Sequence, residues 1–234
     1  MERFFSWHRI ALALAVTALL SLQVHAQTKE QIKPDRIGYT WADKYSDEIY
    51  MLDVDVAKST KEIKDAQVYL GEMVADPVVF LKEKATTDFK TVVKLANEKY
   101  AQGKAVTKTV DELFAGANFN DKMNVLIEQI NQTADTKALA TIGKSLKEAL
   151  KNLGAVPKAA DKLITRSKSI IAQTDGIMKQ TDQLDMFKKA SVAAALGARS
   201  SSLQETAKKI PALGDESVKT LGLYKKLMSN IKIK

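Results

Sequence analysis

The chain has 234 residues, with 36 Lys and Arg, 28 Asp and Glu, 2 His and no Cys, so its formal net charge is +8. Both histidines lie in the first 26 residues, which have the pattern of a leader. Without that leader the chain has neither imidazole nor thiol, which excludes cysteine nucleophiles, histidine bases and the usual ligands of zinc, copper and haem. We therefore expect no cofactor, no metal and no enzymatic activity; catalysis by a carboxylate pair is the alternative.

The first 26 residues predict a cleaved signal peptide. Two arginines are followed by an apolar run over residues 10–22 and by small residues at positions 24 and 26, where a signal peptidase recognises its substrate. An uncleaved anchor is the alternative, but this run is shorter than the ~20 residues that span a bilayer. We therefore expect an exported protein, periplasmic or secreted, that is not an integral membrane protein.

The next 14 residues, 27–40, contain Pro34 and Gly38 and lack an apolar period, so they predict an extended arm before one helical domain over residues 41–234. Apolar or small residues then alternate at spacings of four and three, which predicts a helix over residues 42–74, about 50 Å long and packed lengthwise on a partner. The positions of this seam are Tyr45, Ile49, Leu52, Val56, Ser59, Ile63, Ala66, Leu70 and Met73.

Shorter helices are predicted in the middle of the chain. Asp76 and Pro77 supply an N-cap and a first-turn proline for a second helix that ends at Gly103, with a bend at residues 85–88. A capping box at residues 109–112 predicts a short helix that stops at residue 116.

Two further helices are predicted before the second long element. One begins after Asn118 or Asn120, and the next follows residues 133–136. Gly154 and Pro157 are the residues that commonly end a helix, so we expect this last one to stop there.

The second long helix is predicted to begin at Pro157, because isoleucine and leucine recur every seven residues from Leu163. We expect it to kink near Lys188 or to break at residues 197–202, and to stop at Pro211 before a last helix. The fold predicted from these elements is all-α: an elongated up-and-down antiparallel helical bundle with two long helices and several shorter ones.

Small and hydroxyl-bearing residues alternate with the apolar residues of the second seam. Ser167, Thr174 and Thr181 share one face of that helix. The simplest interpretation is close helix packing, with the hydroxyls bonded to their own helix carbonyls. The alternative is that these three residues line a groove for a small ligand between helices.

Charge is distributed unevenly along the chain. Residues 43–55 carry five acids and one lysine, and we expect Asp53 and Asp55 to belong to a solvated acidic face. Residues 219–234 carry lysines and no acid, and this tail predicts contact with an anionic surface, or else attraction to the acidic segment. The predicted contact residues are Lys219, Lys225, Lys226, Lys232 and Lys234.

Three functions fit these patterns. The leading hypothesis is an exported, non-catalytic bundle that interacts with a protein partner or an anionic envelope surface. The second is a carrier of an apolar or amphipathic ligand, and the third is a bundle that acts on membranes. Nucleic acid is disfavoured because the chain after the leader has only three arginines and few aromatic residues near its lysines. Self-association fits as well, since a heptad seam pairs equally within and between chains.

Overall fold

The computed structural model describes residues 33–101 and 118–232, and the regular structure within these ranges is entirely helical. The protein is therefore an all-α helical bundle, as predicted, and the bundle belongs to the unit Ile37–Lys234. Its helices are α1 (Thr40–Ala75), α2 (Pro77–Glu83), α3 (Phe89–Ala101), α4 (Phe119–Gln132), α5 (Thr136–Gln180) and α6 (Met186–Asn230). The predicted signal peptide, residues 27–32 of the predicted arm and the capping-box helix lie outside the described residues, whereas residues 33–39 of the arm are described and are not helical.

Helix α1 follows the sequence pattern closely. All nine predicted seam positions, from Tyr45 to Met73, are buried. The helix starts without a side-chain cap, but the chain before it is fixed because the Ile37 N–H donates to Asp43 Oδ1 at 2.7 Å. The heptad spacing thus holds one face of α1 against its partners over the whole length of the helix.

The second predicted helix is two helices. Asp76 accepts the Val79 N–H at 3.0 Å and Pro77 opens α2, as predicted, but α2 ends at Glu83. Asp88 then accepts the Thr91 N–H at 3.1 Å near the start of α3. The residues expected to form a bend therefore separate the two helices, because Asp88 binds the free amide of a new first turn.

Helix α5 begins at Thr136, where Asp135 accepts two backbone N–H groups as the N-cap. The prediction that this helix ends at Gly154 and Pro157 is wrong, since α5 continues to Gln180 with the proline inside it. A proline inside a helix costs about 3 kcal/mol. Leu153, Val156 and Leu163 lie on both sides of that point and are buried, and each contributes roughly 1.5–3 kcal/mol. The free energy gained by burying these side chains therefore exceeds the cost of the proline inside the helix.

Helix α6 also continues past a residue at which the sequence predicts it to end. It runs from Met186 to Asn230 without a break at residues 197–202 and with Pro211 inside it. The interruption lies earlier, in a 3-10 turn at Thr181–Gln183, after which Asp185 accepts the Lys188 N–H as the N-cap of α6. The last two predicted helices are therefore one helix. Burial of Ile210 and Leu213 on either side of the proline explains the continuity.

The three long helices pack on one another, and the contact between α5 and α6 is the most extensive. Tyr45 meets Thr174 and Asp55 meets Arg166, so α1 runs antiparallel to α5. Asp53 meets Thr206 and Ala66 meets Tyr224, so α1 runs parallel to α6. The order of the long helices is therefore up, down and up, with α2, α3 and α4 connecting the first long helix to the second.

Candidate anion-binding face

The lysines of the predicted tail are exposed to solvent wherever the structure describes them. Lys219, Lys225 and Lys226 project from the last turns of α6, and Lys232 follows the end of that helix. Lys234 lies outside the described residues. None of the four described lysines forms an ion pair with a described residue. These lysines are placed where a ligand could reach them, although their contact with an anionic surface stays a prediction.

The end of the tail is attached to α4 by one asparagine. The Asn131 amide donates to the carbonyl of Asn230 at 3.0 Å, and its oxygen accepts the Lys232 N–H at 2.7 Å. An open cleft of about 530 Å³ lies beside this contact, between α4 and α6. Its lining combines two lysines with side-chain amides and the carboxylate of Glu128. The cleft is therefore polar without a concentrated positive charge.

The acidic segment of α1 does not neutralise the tail. Asp55 pairs with Arg166 of α5 at 2.9 Å, and Asp53 accepts the Thr206 hydroxyl of α6 at 2.5 Å. Lys219 lies 13 residues further along α6 than Thr206, which is about 20 Å and exceeds the Debye length of roughly 8 Å at physiological salt. The expected attraction between these two regions is therefore negligible.

Asp53 and Asp55 do not share one solvated acidic face, because Asp53 is half-buried whereas the side chain of Asp55 is 46% exposed. Two residues apart on a helix, they point to opposite sides of α1, and each meets a different long helix. Burial raises the pKa of Asp53, while hydrogen bonds from Thr206 and Ser202 act in the opposite direction. Each carboxylate therefore links α1 to a different long helix, Asp55 to α5 and Asp53 to α6.

The three hydroxyl residues of the second seam bond within the protein. Ser167 donates to Ile164 O at 2.9 Å, and Thr181 donates to Met178 O at 2.6 Å. Thr174 shares a hydrogen bond of 2.8 Å with the Tyr45 hydroxyl of α1. None of the three lines the cleft between α4 and α6. Their hydrogen bonds favour the packing interpretation, and a ligand groove along this face stays a prediction.

The strongest charged feature lies on α5 and was missed by the sequence analysis. Helix α5 carries nine basic and three acidic side chains. Lysines recur every seven residues at Lys137, Lys144, Lys151 and Lys158, and two more fall on the same face. We call these six the lysine row: Lys137, Lys144, Lys147, Lys151, Lys158 and Lys162. All six are exposed, and none forms an ion pair with a described residue.

The row is straight and narrow. At 100° per residue the six lysines fall within about 80° of the circumference of α5, and at 1.5 Å per residue they extend over about 38 Å. Only two other residues of that stretch, Ala140 and Ala155, fall within the same sector. Glu148 lies just outside one edge, 3.7 Å from Lys90 of α3, and the exposed Asp161 lies just outside the other. The six lysines therefore form one line of positive side chains with a carboxylate on either side.

Packing of the opposite face fixes this arrangement. Ile142, Leu146, Leu153 and Ala160 are buried on the side of α5 that faces α1 and α6. The row lies opposite that face and is therefore turned to solvent. The heptad repeat of the lysines is the signal that would have revealed it. That repeat was hidden because the predicted helix stopped at Pro157, which separates the first four lysines from the last two.

A second exposed feature lies at the turn between α5 and α6. Met186 and Phe187 are 81% and 89% exposed. The charges beside them are paired, with Lys188 Nζ 3.3 Å from Asp185 and Lys189 Nζ 2.7 Å from Asp182. The turn therefore presents two apolar side chains within a locally neutral surface, in contrast to the lysine row.

Comparisons with protein-family models, with curated proteins and with solved structures found no match to this chain. In the parts of the chain that the structure describes, every helix is either too short or too polar to be a candidate membrane span.

Proposed function

We propose that this protein is an exported, non-catalytic binding protein that attaches to anionic groups of the cell envelope through the lysine row of α5. The observation that carries the proposal is that six of the eight residues in one solvent-facing sector of α5 are lysines. Export rests on the leader pattern of the first 26 residues, and the non-catalytic role rests on the lack of His and Cys after it.

The magnitude of the electrostatic attraction supports this proposal. Each lysine near an anionic surface contributes about 1 kcal/mol at moderate salt. Removal of three lysines should therefore weaken binding by roughly 100-fold, since 1.4 kcal/mol is a factor of ten. The tail lysines of α6 add positive charge but not a row, because Lys225 and Lys226 are neighbours that point to different sides of the helix.

The test compares two variants with equal loss of charge. The row variant carries Lys144→Gln, Lys151→Gln and Lys158→Gln. The control carries three glutamines on other helices, at the exposed Lys58, Lys122 and Lys208. Binding of the purified protein, without its first 26 residues, is measured on vesicles rich in phosphatidylglycerol and on immobilised polygalacturonate. We expect the row variant to lose about 100-fold in affinity for at least one probe and the control to lose far less.

Equal losses in the two variants would contradict a role for the row, and failure of the unmodified protein to bind either probe would contradict the proposal. Export has a separate test. The mass of protein recovered from the periplasm or medium of its host should correspond to a chain that begins at Gln27. A catalytic activity abolished by a single Asp, Glu, Lys or Ser substitution would contradict the non-catalytic role.

A further inference from the structure

The shape of the lysine row restricts what it can bind. Lys137, Lys144, Lys151 and Lys158 follow one another at intervals of about 10 Å, and the whole row extends over about 38 Å. The sector is only about 80° wide. A chain-like polyanion that lies along α5 would meet these lysines one after another, whereas a small anion would meet only one or two.

The edges of the row disfavour a flat anionic surface. A bilayer touching the row would also bring the exposed carboxylate of Asp161 towards the headgroups, because that residue lies just beside the row. The sector offers only Ala140 and Ala155 besides its lysines, whereas helices that lie in a membrane interface bury Trp, Phe or Leu. The row therefore lacks the side chains that would insert into lipid.

The composition of the row also disfavours nucleic acid. It contains no arginine for bidentate contact with bases and no aromatic residue on which a base could stack. Its lysines are point charges, which suit separated carboxylate or phosphate groups.

The lysines also repel one another in the free protein. Lys147 and Lys151 are four residues apart, as are Lys158 and Lys162, and like charges at this spacing destabilise a helix. No described acidic side chain pairs with any of the four. A polyanion bound along the row would remove this repulsion, so binding should stabilise α5 itself.

We infer that the ligand of the lysine row is a linear acidic polysaccharide, one chain of which lies along α5 between the edge of the row beside Glu148 and the edge beside Asp161. This inference rests on the proposed function and specifies the ligand of the same site.

The experiment uses exchange of two neighbouring residues, which leaves the net charge unchanged. Asp161→Lys combined with Lys162→Asp places a carboxylate within the row and moves a lysine out of it. The matched control is Lys82→Glu combined with Glu83→Lys, which exchanges two exposed neighbours on α2. Circular dichroism checks that both variants keep the helical content of the unmodified protein.

Binding is measured by titration with galacturonate oligomers of increasing length. We expect affinity to rise until the oligomer spans about 38 Å and then to level off. For long oligomers the Asp161/Lys162 exchange should weaken binding at least 10-fold, while the Lys82/Glu83 exchange should change it less than 2-fold. The oligomer should also raise the thermal midpoint of the unmodified protein more than that of the Asp161/Lys162 variant.

Several results would overturn the inference. They are equal binding by the two exchange variants, an affinity independent of oligomer length, and stronger competition by single-stranded DNA at equal charge concentration. Binding to phosphatidylglycerol vesicles that requires the row, without binding to galacturonate oligomers, would overturn this inference and leave the proposed function intact. If the row variant bound every probe as tightly as the unmodified protein, both would fail.

Discussion

Substitution of Gly154 by alanine tests whether α5 is continuous, on which the lysine row depends. Gly154 is exposed, lies three residues before Pro157, and has a right-handed conformation. A Cβ at this position would meet nothing within 4 Å, so alanine adds neither a contact nor a clash. Alanine is favoured over glycine in a helix interior by about 0.5–1 kcal/mol. We therefore expect Gly154→Ala to stabilise the protein by that amount.

The opposite sign is expected if the helix ends at Gly154, as the sequence pattern predicts. A terminal glycine commonly has a left-handed conformation, which costs other residues roughly 1–2 kcal/mol. Gly38 provides this comparison within the chain, because its φ is +90° and a Cβ there would also meet nothing within 4 Å. Gly38→Ala should therefore destabilise the protein, although its surroundings are as open as those of Gly154.

The assay is urea unfolding followed by circular dichroism, with the thermal midpoint as a second measurement. For a domain of this size, 1 kcal/mol shifts the midpoint by about 2–4 °C. Gly154→Ala should raise both midpoints without a change in the urea dependence of the free energy of unfolding. A loss of more than about 0.5 kcal/mol in Gly154→Ala would refute a continuous α5 and remove the basis for a six-lysine row.

Three further predictions concern other parts of the bundle. Burial raises the pKa of Tyr69 to about 12 and that of Tyr224 well above 10, whereas tyrosines of the unfolded chain ionise near 10. The contribution of these two tyrosines to the free energy of unfolding should be complete below pH 10 and be lost as the pH rises towards 12. A variant that combines Tyr69→Phe with Tyr224→Phe should show a smaller loss of stability over this pH range in urea titrations. An unchanged loss would show that these two tyrosines are not the groups that titrate. Asn131→Ala should accelerate hydrogen exchange at the Lys232 amide, while Thr133→Ala should leave that rate unchanged; equal rates in the two variants would show that the asparagine does not hold the tail. Phe187→Ser should change the free energy of unfolding by less than about 0.5 kcal/mol because the ring is 89% exposed, and a larger loss would mean that the ring is packed in solution.

Sequence reasoning was accurate where one physical signal acted alone. In α1 the heptad spacing runs without a slip, and all nine seam positions that it predicted are buried, because no strong helix breaker competes with it. Asp76 likewise caps a helix where predicted, since a cap depends on neighbouring residues only, and the helix predicted to follow residues 133–136 begins at Thr136.

Sequence reasoning failed where a local preference competed with distant packing. Pro157 and Pro211 each disfavour a helix, and nothing near them in the sequence reveals the partner helices that keep α5 and α6 continuous. The same error concealed the candidate site. A charge run without acids, such as the tail, is visible in any window of the sequence, whereas the full row of six lysines appears only when the helix is read through Pro157.

The position of α1 explains why its acidic side chains do not neutralise the lysine row. Helix α1 carries eight acidic and four basic side chains, and its edges meet the basic hairpin of α5 and α6, as in the pair Asp55–Arg166. The row faces away from these acids. Its heptad interval of about 10 Å exceeds the Debye length of roughly 8 Å at physiological salt, so the four lysines act as separate contacts and not as one summed field. High affinity therefore requires a ligand that touches several of them at once, and each added contact multiplies the affinity only if the ligand is long enough to reach it.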